Sequence, residues 1–478
     1  MQQSEYTDIL EIARGRVEDF KRLCDAGLLS RDGDFFPSVH YPPITMYSPI
    51  PEEELFRTYT LPEDGLFDVY AHLPFCHQRC IFCHYPVKFG DQSAEKDRYL
   101  NALEKEMDLY MRRLGVDKIK ARSILVGGGT PTYLSPKQLQ RFLEFFCGRL
   151  DMSGCTQFNY DVDPNTLLGP EGRERLQIMR SYGVDRLTIG VQSLDDHILQ
   201  VMNRHHDARK AIESIEASRE MGYQINIEFI FGHPGQTIDN WIKVVEQAVT
   251  LGVEEIQLYR LKVEAYGDYQ GPIKVVKQRE PEKVPDVTES LMMKQIAIEI
   301  LNRNGYHENI RRVFTRHKKY YSHYAWNQCC NLYDEIGLGL TAFSSLRDRF
   351  GLNTQYFEEY YDSIDNGRLP LNRGLVRSPD EQMRWAIILP LKNSRVRKDL
   401  FKKATGISFD GVFRAKVEAL KAQGLAIEDE EKLELTKLGA FFADECAQLF
   451  HSPAYIPFPT ANYASGPLNP YLDGQVNT

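Results

Sequence analysis

Residues 71–87 read AHLPFCHQRCIFCHYPV and place three cysteines, Cys76, Cys80 and Cys83, within eight positions of one another. Three thiolates brought together by so short a loop can surround one metal centre. Thiolates are soft ligands that suit zinc ions or iron–sulfur clusters. Nothing else in the sequence indicates a disulfide framework, so this spacing predicts a metal centre held by a loop.

Zinc is the first alternative for that metal centre. A structural zinc site needs four ligands, and His77 or His84 could complete one. The usual zinc spacing, however, is two paired ligand groups separated by a longer segment, and no second pair is evident in the sequence. The spacing therefore favours an iron–sulfur cluster over zinc.

The composition of the chain limits which classes of protein it can belong to. The chain has 478 residues, 42% of them apolar, a net charge of −9 and nine cysteines. This length predicts two domains with extensions, and the negative charge argues against a broad nucleic-acid surface. The first residues favour an amphipathic helix over a secretory signal, and the apolar run Trp385 to Leu391 is far shorter than the roughly 20 residues that span a bilayer. We therefore expect a cytoplasmic protein without a membrane partner.

Short β-rich runs alternate with longer helical patterns from Leu66 onward, which predicts a parallel β/α sheet or a partial (β/α)6 barrel. The strand candidates are LFDVYAHL (66–73), SILVGGG (123–129), QFNYDVD (157–163), RLTIGVQ (186–192), INIEFIFG (225–232) and EIQLYRL (255–261). The helix candidates are 95–114, 136–150, 171–182, 208–221 and 238–251. Ligands collect at the carboxyl ends of the strands in such folds, and the cysteine loop follows the first strand.

Four regions are predicted along the chain. Residues 1–65 form a helix and an extended strap, 66–270 the barrel, 271–450 a mainly helical domain, and 451–478 a tail rich in proline and aromatic residues. The order of elements near 395–435 is typical of a winged helix, and such modules often bind DNA. Arg395, Arg397, Lys398, Lys402 and Lys403 are the side chains available for that role. A helical cover packed on the barrel is the favoured interpretation, given the acidic chain.

Five sequence motifs, which follow one another in a characteristic order along the chain, give a more specific resemblance. They are VYAHLPFCHQRCIFC, VGGGTPTYL, DVDPNTL, GVDRLTIGVQSLDDHILQVMNRHH and NIEFIFGHPGQT. This series resembles the radical S-adenosylmethionine superfamily and, within it, the HemN-like family of coproporphyrinogen III dehydrogenases, heme chaperones of HemW type and HemN-like methyltransferases. The resemblance implies a partial radical-SAM barrel followed by a HemN-type domain.

The resemblance also implies cofactors and site residues. A [4Fe-4S] cluster held by Cys76, Cys80 and Cys83 would leave one iron free to bind S-adenosylmethionine, whose reductive cleavage yields a 5′-deoxyadenosyl radical. One or two molecules of S-adenosylmethionine would bind. The implied contacts to this cofactor are Tyr70, Phe82, Gly128, Gly129, Thr130, Asp161, Gln192, Arg204 and Glu228. Glycines let backbone amides approach a ligand, and an arginine suits a carboxylate.

Three positions depart from the porphyrinogen enzymes of the family. Tyr85 stands where those enzymes have a further cysteine, Asp161 is one methylene shorter than their glutamate, and Glu228 is one longer than their aspartate. Tyr85 and Glu228 are therefore the predicted catalytic residues. These departures favour one-carbon transfer, methylation or cyclopropanation, to an unsaturated small molecule, with flavodoxin or ferredoxin as electron donor and no nucleic acid as partner.

Three other functions stay open at this point. The first is oxidative decarboxylation of coproporphyrinogen III in heme biosynthesis. The second is heme carriage, for which His77, His84, Cys329 and Cys330 are candidate iron ligands. The third is regulation through DNA binding by the winged-helix-like region.

Overall fold

The computed structural model describes residues 3–29, 40–44, 47–83, 85–90, 92–261 and 271–455. Three predicted features fall wholly or partly outside these ranges. His84 is one of them, and the proline-rich strap is described only in part. The tail is described only as far as residue 455.

Six parallel strands form the barrel at the predicted positions. They are β1 (Leu66–Leu73), β2 (Ile119–Gly128), β3 (Phe158–Val162), β4 (Arg186–Gln192), β5 (Gln224–Phe231) and β6 (Glu255–Arg260). Each strand pairs with the next in chain order, and all five pairings are parallel. Their carboxyl ends therefore meet at one edge, where the loop with the three cysteines follows β1.

Helices between the strands cover the outside of this sheet. They span Ser93–Leu114, Pro136–Gly148, Gly169–Ser181, Ala208–Glu220 and Ile238–Thr250. The sequence dictates where they begin: Ser135 and Gln138 form a capping box, and the Thr237 hydroxyl accepts the backbone N–H of Asn240. Each helix buries an apolar face, as Trp241 and Val245 show in the last of them, so sheet and helices share one core.

The sheet continues beyond residue 270, where the sequence predicts a domain boundary. Strand Val313–Thr315 pairs antiparallel with β6, and His307–Ile310 pairs antiparallel with Val313–Thr315. At the other edge, Glu335–Leu338 pairs parallel with β1 and is followed by antiparallel strands Phe343–Leu346, Arg349–Asn353 and Leu371–Val376. These strands pair with residues far away in the chain, so local alternation of strand and helix did not reveal them.

The C-terminal part contains the predicted winged-helix-like order. Helix Pro379–Asn393 is followed by Lys398–Thr405, Arg414–Ala422 and a three-stranded antiparallel sheet. The strands of that sheet are Arg395–Arg397, Lys432–Leu435 and Ala426–Glu428, in spatial order. The fold class is therefore confirmed: a parallel-stranded α/β barrel with a mainly helical C-terminal domain that has its own apolar core.

Four of the five basic residues of the winged-helix-like region pair with carboxylates. Arg395 pairs with a glutamate of the adjacent strand, Arg397 with an aspartate two positions on, and Lys398 with two acids. Lys403 reaches an acid near the start of the barrel. These ion pairs are typical of a solvent-exposed surface on which basic and acidic side chains neutralise one another.

The other helices connect these parts. The N-terminal helix Gln3–Asp25 packs against Val287–Arg303, which begins at an Asp286 capping box. The remaining ones are Glu52–Phe56, Asp196–Val201, Gly271–Arg279, His323–Trp326, the π-helical turn Asn327–Asn331, Phe357–Asp365, Lys437–Phe441 and Ala443–Gln448. Within the described ranges, no helix combines the length and the apolar character needed to cross a membrane.

Candidate active site

A cavity of about 450 Å³ opens at the carboxyl ends of the barrel strands. All thirteen predicted site residues line it: Tyr70, Cys76, Cys80, Phe82, Cys83, Tyr85, Gly128, Gly129, Thr130, Asp161, Gln192, Arg204 and Glu228. They come from five of the six barrel strands and from the loops that follow them. The fold thus brings residues that are up to 158 positions apart into one site.

The cysteine loop is held in place by backbone hydrogen bonds. The segment Phe75–Cys76 pairs with Lys88–Phe89, and the amide of Cys83 donates to the carbonyl of Cys80 at 3.1 Å. Burial, and then the charge of a neighbouring cysteine, raises the pKa of the Cys76 thiol, and burial raises that of Cys83. Three thiolates would therefore be costly here without a cationic centre among them.

The three cysteines of the loop line the cavity together. Over the ranges that the structure describes, no group of three histidine, cysteine or acidic side chains is close enough to hold a single metal ion. A four-iron cluster is larger than one ion, and its cysteine ligands stand further apart. Thiolates are soft ligands that suit an iron–sulfur cluster, and His84, a candidate fourth ligand of the zinc alternative, lies outside the described residues.

The glycine loop after β2 leaves no room for side chains beside the cysteine loop. A Cβ atom on Gly129 would lie 2.8 Å from the Phe75 carbonyl and 3.0 Å from the Cys76 sulfur. Gly128 adopts a φ of +115°, which few other residues tolerate. The Thr130 amide donates to the Phe75 carbonyl at 2.7 Å. A ligand lying along this loop would meet backbone atoms directly.

Arg204 connects the cysteine loop to a buried carboxylate. Its Nη1 donates to the Cys80 sulfur at 3.1 Å, and its Nη2 donates to Asp163 Oδ2 at 2.7 Å and to the Gly190 carbonyl at 2.9 Å. His205 Nε2 lies 3.2 Å from the other oxygen of Asp163. Burial opposes ionisation of Asp163, but Arg204 and His205 hold its pKa below the usual range. We call Cys80, Asp163, Arg204 and His205 the rim of the cavity.

The floor of the cavity, Asp161, Glu228 and Tyr259, has a different electrostatic character. Burial raises the pKa of Asp161 to about 7, and burial together with the charge of Asp161 raises that of Glu228 to about 8. The Tyr259 hydroxyl donates to Glu228 Oε1 at 3.3 Å. The nearby guanidinium of Arg186 forms an ion pair with Glu255 instead. Glu228 thus keeps its proton near neutral pH and can donate a hydrogen bond, whereas Asp161 titrates close to neutral pH.

Orphaned polar atoms and a strained backbone mark the same cavity. The buried Gln192 Oε1 and Arg204 Nε have no hydrogen-bond partner among the described residues. Gln192 also has a φ of +67°, an unusual conformation for a residue other than glycine, at the end of β4. Buried polar groups normally find partners, so these atoms fit a site that completes its hydrogen bonds with a polar ligand.

Tyr85 presents its ring to the cavity. The side chain is 49% exposed and lies 5.8 Å, centroid to centroid, from the ring of His72. His72 Nδ1 accepts from or donates to the Tyr70 hydroxyl at 3.0 Å, and burial lowers the pKa of His72 to about 3. A neutral, buried histidine thus contacts the two tyrosines that line the cavity.

Sequence reasoning missed Asp163, His205 and Tyr259. The signals were present: Asp163 follows Asp161 at the two-residue period of a strand, and Tyr259 is four positions from Glu255 on the same face of β6. Of the candidate heme ligands that the structure describes, His77 lies in the cysteine loop, and Cys329 and Cys330 lie in the turn Asn327–Asn331. His77 stacks on His205 at 4.9 Å, whereas Cys330 is buried and neither Cys329 nor Cys330 lines a cavity that His77 lines.

Comparison with known families agrees with the site. The model of the radical SAM superfamily matches residues 70–248, and that of the HemN C-terminal domain matches residues 378–442. The chain is 28% identical to heme chaperone HemW of Bacillus subtilis over 383 residues, which cover 79% of this chain and 97% of that protein. It is 25% identical to oxygen-independent coproporphyrinogen III oxidase of Pseudomonas aeruginosa over 410 residues, covering 81% and 86%.

A solved structure shares the fold over most of the chain. Coproporphyrinogen III oxidase HemN from Escherichia coli superimposes with a TM-score of 0.73 at 23% identity, covering 86% of this chain and 96% of that one. The likeness shows that both chains have the same fold.

Proposed function

We propose that this chain, which belongs to the radical S-adenosylmethionine superfamily and carries a HemN-type C-terminal domain, generates a substrate radical in the cavity above β1–β6. Members of this superfamily use a [4Fe-4S] cluster and S-adenosylmethionine. The observation that carries the proposal is that the cysteine loop, the glycine loop, Arg204 and two carboxyl groups with raised pKa values line one cavity. Bound at the cluster and reduced by one electron, S-adenosylmethionine supplies a 5′-deoxyadenosyl radical that abstracts hydrogen from a substrate.

The chain's own residues would hold the cofactors at the rim. Cys76, Cys80 and Cys83 would bind three irons of the cluster. Arg204, which already touches the Cys80 sulfur, would stabilise negative charge on the thiolates and face the carboxylate of the cofactor. Gly129 and its neighbours would let the amino-acid part lie against backbone amides, because any side chain there would meet the cysteine loop.

The floor would recognise neutral polar groups. Protonated Glu228 can donate to a hydroxyl oxygen such as those of the ribose, without bringing another negative charge into the cavity that holds the ionised Asp163. Gln192, with an orphaned side-chain oxygen, can accept a hydrogen bond from the same kind of group. A charged rim and a floor with protonated Glu228 would therefore fix the direction in which the cofactor lies.

We further propose that the reaction is one-carbon transfer to an unsaturated small molecule. Support comes from Tyr85, which offers an exposed phenol where the porphyrinogen enzymes of the family have a thiol, and from the exchanged lengths of the acids at 161 and 228. Tyr85 would contact the substrate, since its ring faces the cavity beside the cysteine loop. A reduced flavodoxin or ferredoxin would supply the electron.

Oxidative decarboxylation of coproporphyrinogen III is the second candidate. What favours it is the match to the Pseudomonas aeruginosa oxidase, which extends over 81% of this chain and includes the parts outside the barrel. The two candidates share the radical step and differ only in what happens to the substrate. The two candidates are distinguished by whether a carbon of S-adenosylmethionine enters the product or carbon dioxide leaves the substrate.

Formation of 5′-deoxyadenosine tests the radical step. Anaerobically reconstituted protein, reduced with dithionite in the presence of S-adenosylmethionine, should release 5′-deoxyadenosine and methionine. Cys80→Ser should lower this release to background, because three thiolates are needed to hold the cluster. Cys147→Ser is the matched control, a half-buried cysteine on an outer helix, and it should keep the activity. Equal release from the two variants would contradict the assignment.

An isotope label in the methyl group of S-adenosylmethionine tests which of the two reactions takes place. With S-adenosylmethionine labelled in its methyl group, one-carbon transfer puts the label into product. Release of carbon dioxide from coproporphyrinogen III, with no label retained, would replace this proposal by the decarboxylation alternative.

A further inference from the structure

Tyr70 and His72 form a hydrogen-bonded pair at the end of β1, shortly before the cysteine loop. Residues two positions apart in a strand lie on the same face of the sheet. The Tyr70 hydroxyl oxygen and His72 Nδ1 are 3.0 Å apart, and Tyr70 lines the cavity. His72 is buried, with 2% of its surface exposed. The strand therefore presents a phenol to the cavity and holds it with a buried imidazole.

The surroundings of His72 favour one of the two neutral forms of its ring. Burial lowers its pKa to about 3, so the ring is neutral and carries one proton. The buried Nε2 atom has no hydrogen-bond partner among the described residues. A Cβ on Gly128 would lie 2.9 Å from this Nε2, so a Cα–H group of the glycine faces it. A C–H group can face a lone pair but repels an N–H group, which places the proton of His72 on Nδ1.

This form of His72 leaves the hydrogen of Tyr70 available to the cavity. With the proton on Nδ1, the imidazole donates to the phenol oxygen, and the oxygen acts as the acceptor. The hydroxyl makes no other hydrogen bond to a residue that the structure describes. Burial raises the pKa of Tyr70 well above its usual value, so the phenol keeps its hydrogen at neutral pH.

The phenol of Tyr70 reaches toward the floor of the cavity across a glycine. A Cβ on Gly127 of β2 would lie 3.4 Å from the Tyr70 hydroxyl oxygen and 2.6 Å from Asp161 Oδ2. Because Gly127 has no side chain, nothing from this strand separates the phenol from the floor. A substrate held above the floor would therefore lie within reach of the Tyr70 O–H group.

One-carbon transfer needs a donor of this kind. Addition of a one-carbon radical to an unsaturated carbon leaves the unpaired electron on the adjacent carbon of the adduct. That carbon must receive one hydrogen atom before a closed-shell product can leave. A phenolic O–H bond is weaker than most C–H bonds, so transfer of its hydrogen atom to a carbon radical is favourable.

We infer that Tyr70 donates a hydrogen atom to the carbon radical of the substrate and thereby ends the radical reaction. The inference rests on the proposed function, since it takes the cavity as the place where that radical forms. A C–H bond forms on the substrate, the O–H bond of Tyr70 breaks, and a neutral tyrosyl radical remains. One further electron from the reduced flavodoxin or ferredoxin and one proton from solvent restore the phenol.

His72 is the positioning residue for this step. Its Nδ1–H group donates to the phenol oxygen before the transfer and to the tyrosyl oxygen after it, since both oxygens are acceptors. The imidazole thus orients the phenol without taking up its hydrogen.

Deuterium from heavy water tests the inference without knowledge of the substrate. A phenolic hydrogen exchanges with solvent, whereas carbon-bound hydrogens of the protein do not. When no substrate is bound, Tyr70 should give its hydrogen atom to the 5′-deoxyadenosyl radical instead. Most of the 5′-deoxyadenosine that the reconstituted wild type releases in heavy water should then carry one deuterium in its methyl group, as mass spectrometry measures.

Two variants assign the source of that deuterium. Tyr70→Phe should lower the deuterated fraction of the released 5′-deoxyadenosine to the background of natural abundance. Tyr324→Phe is the matched control: its ring lies 6.3 Å from that of Tyr70, centroid to centroid, and its hydroxyl bonds to Glu335. This control should keep the wild-type fraction. Absence of deuterium from the wild-type product, or equal fractions in wild type and Tyr70→Phe, would overturn the inference.

Electron paramagnetic resonance decides the case in which Tyr70→Phe releases no 5′-deoxyadenosine. Wild-type protein frozen during turnover should show an organic radical signal that narrows when the protein contains ring-deuterated tyrosine. Tyr324→Phe should show the same signal. A wild type without a signal that responds to ring deuterium would contradict the inference.

Nitrogen NMR of the full chain, labelled at its histidines, tests the role of His72 without either cofactor. The proton should be found on Nδ1, and Nε2 should have the chemical shift of an unprotonated ring nitrogen. His72→Asn assigns the signal by its loss. A proton on Nε2 would mean that the Tyr70 hydroxyl donates to His72 and is not available to a radical.

Failure of the inference is distinguishable from failure of the proposed function. If the reconstituted wild type releases no 5′-deoxyadenosine, the radical step is wrong, and the role of Tyr70 falls with it. Release without deuterium would leave the radical step standing and remove Tyr70 as the hydrogen donor.

Discussion

The rim and the floor of one cavity keep their carboxyl groups in opposite protonation states. At the rim, Asp163 lies between Arg204 and His205, which hold its pKa below the usual range in spite of its burial. At the floor, Glu228 has a tyrosine hydroxyl as its neighbour, and burial raises its pKa to about 8. Both side chains are acids on neighbouring parts of the same barrel. Their neighbours, and not their residue type, set their roles.

The difference suits a cofactor with two unlike ends. Thiolates and a zwitterionic amino acid require charged partners, which the rim provides. A ribose accepts hydrogen bonds from donors without net charge, and protonated Glu228 at the floor is such a donor.

Removing the cation of the rim should give the largest effect on stability. Arg204→Met would leave the buried Asp163 carboxylate without its closest partner, and we expect the free energy of unfolding to fall by about 3 kcal/mol. The measurement is urea unfolding under anaerobic conditions. The double variant Arg204→Met with Asp163→Leu should recover part of that loss, since no charge is left unpaired. A loss below about 1 kcal/mol in the single variant would show that the rim is not a buried ion pair.

Neutralising the floor should change how stability depends on pH. The native protein keeps the Glu228 proton up to about pH 8, whereas the unfolded chain loses it near pH 4.5. The free energy of unfolding should therefore fall as pH rises through this window, by up to about 1.4 kcal/mol per pH unit for this group. Glu228→Gln removes the titrating proton and should flatten the curve by that amount.

Urea unfolding of the wild type and Glu228→Gln at several pH values measures this contribution. Asp161, with a pKa raised to about 7, contributes in the same direction and is retained in both proteins. Parallel curves between pH 5 and 8 would mean that Glu228 is ionised in the native state. The contrast between rim and floor would then be lost.

Removing a single hydroxyl should give the smallest effect. The hydrogen bond from Tyr259 lowers the pKa of Glu228, so Tyr259→Phe should raise that pKa further, by less than about one unit. The carboxylic acid stretch in the infrared spectrum, followed through a pH titration and assigned with Glu228→Gln, gives the value. A fall in the pKa would contradict the geometry of the floor.

The sequence predicted the barrel well because its signals are local. All six strands and five covering helices follow from period-two and helical patterns in short windows. The cysteine loop, the glycine loop and Arg204 followed from an ordered series of motifs. What was missed depends on pairing at long range: the strands after residue 270 join both edges of the sheet, and this pairing carries Arg312 to Tyr259.

The protonation states of the acids in the cavity could not be predicted from the sequence either. Asp161, Asp163 and Glu228 have the same kind of side chain, and only their distances from Arg204, Arg186 and the solvent separate them. Those distances are set by how β3, β4 and β5 lie beside one another. The sequence shows which residues are acids, whereas the packing of the barrel determines which of them is ionised.

Electron paramagnetic resonance of the reduced, reconstituted protein tests the central claim most directly. If three cysteines hold a four-iron cluster with one iron open to the cavity, the signal of the reduced cluster should change shape when S-adenosylmethionine is added. Cys80→Ser should lose the signal, and Cys147→Ser should behave as the wild type does. A reduced-cluster signal that S-adenosylmethionine leaves unchanged would contradict a cofactor bound between the rim and the floor.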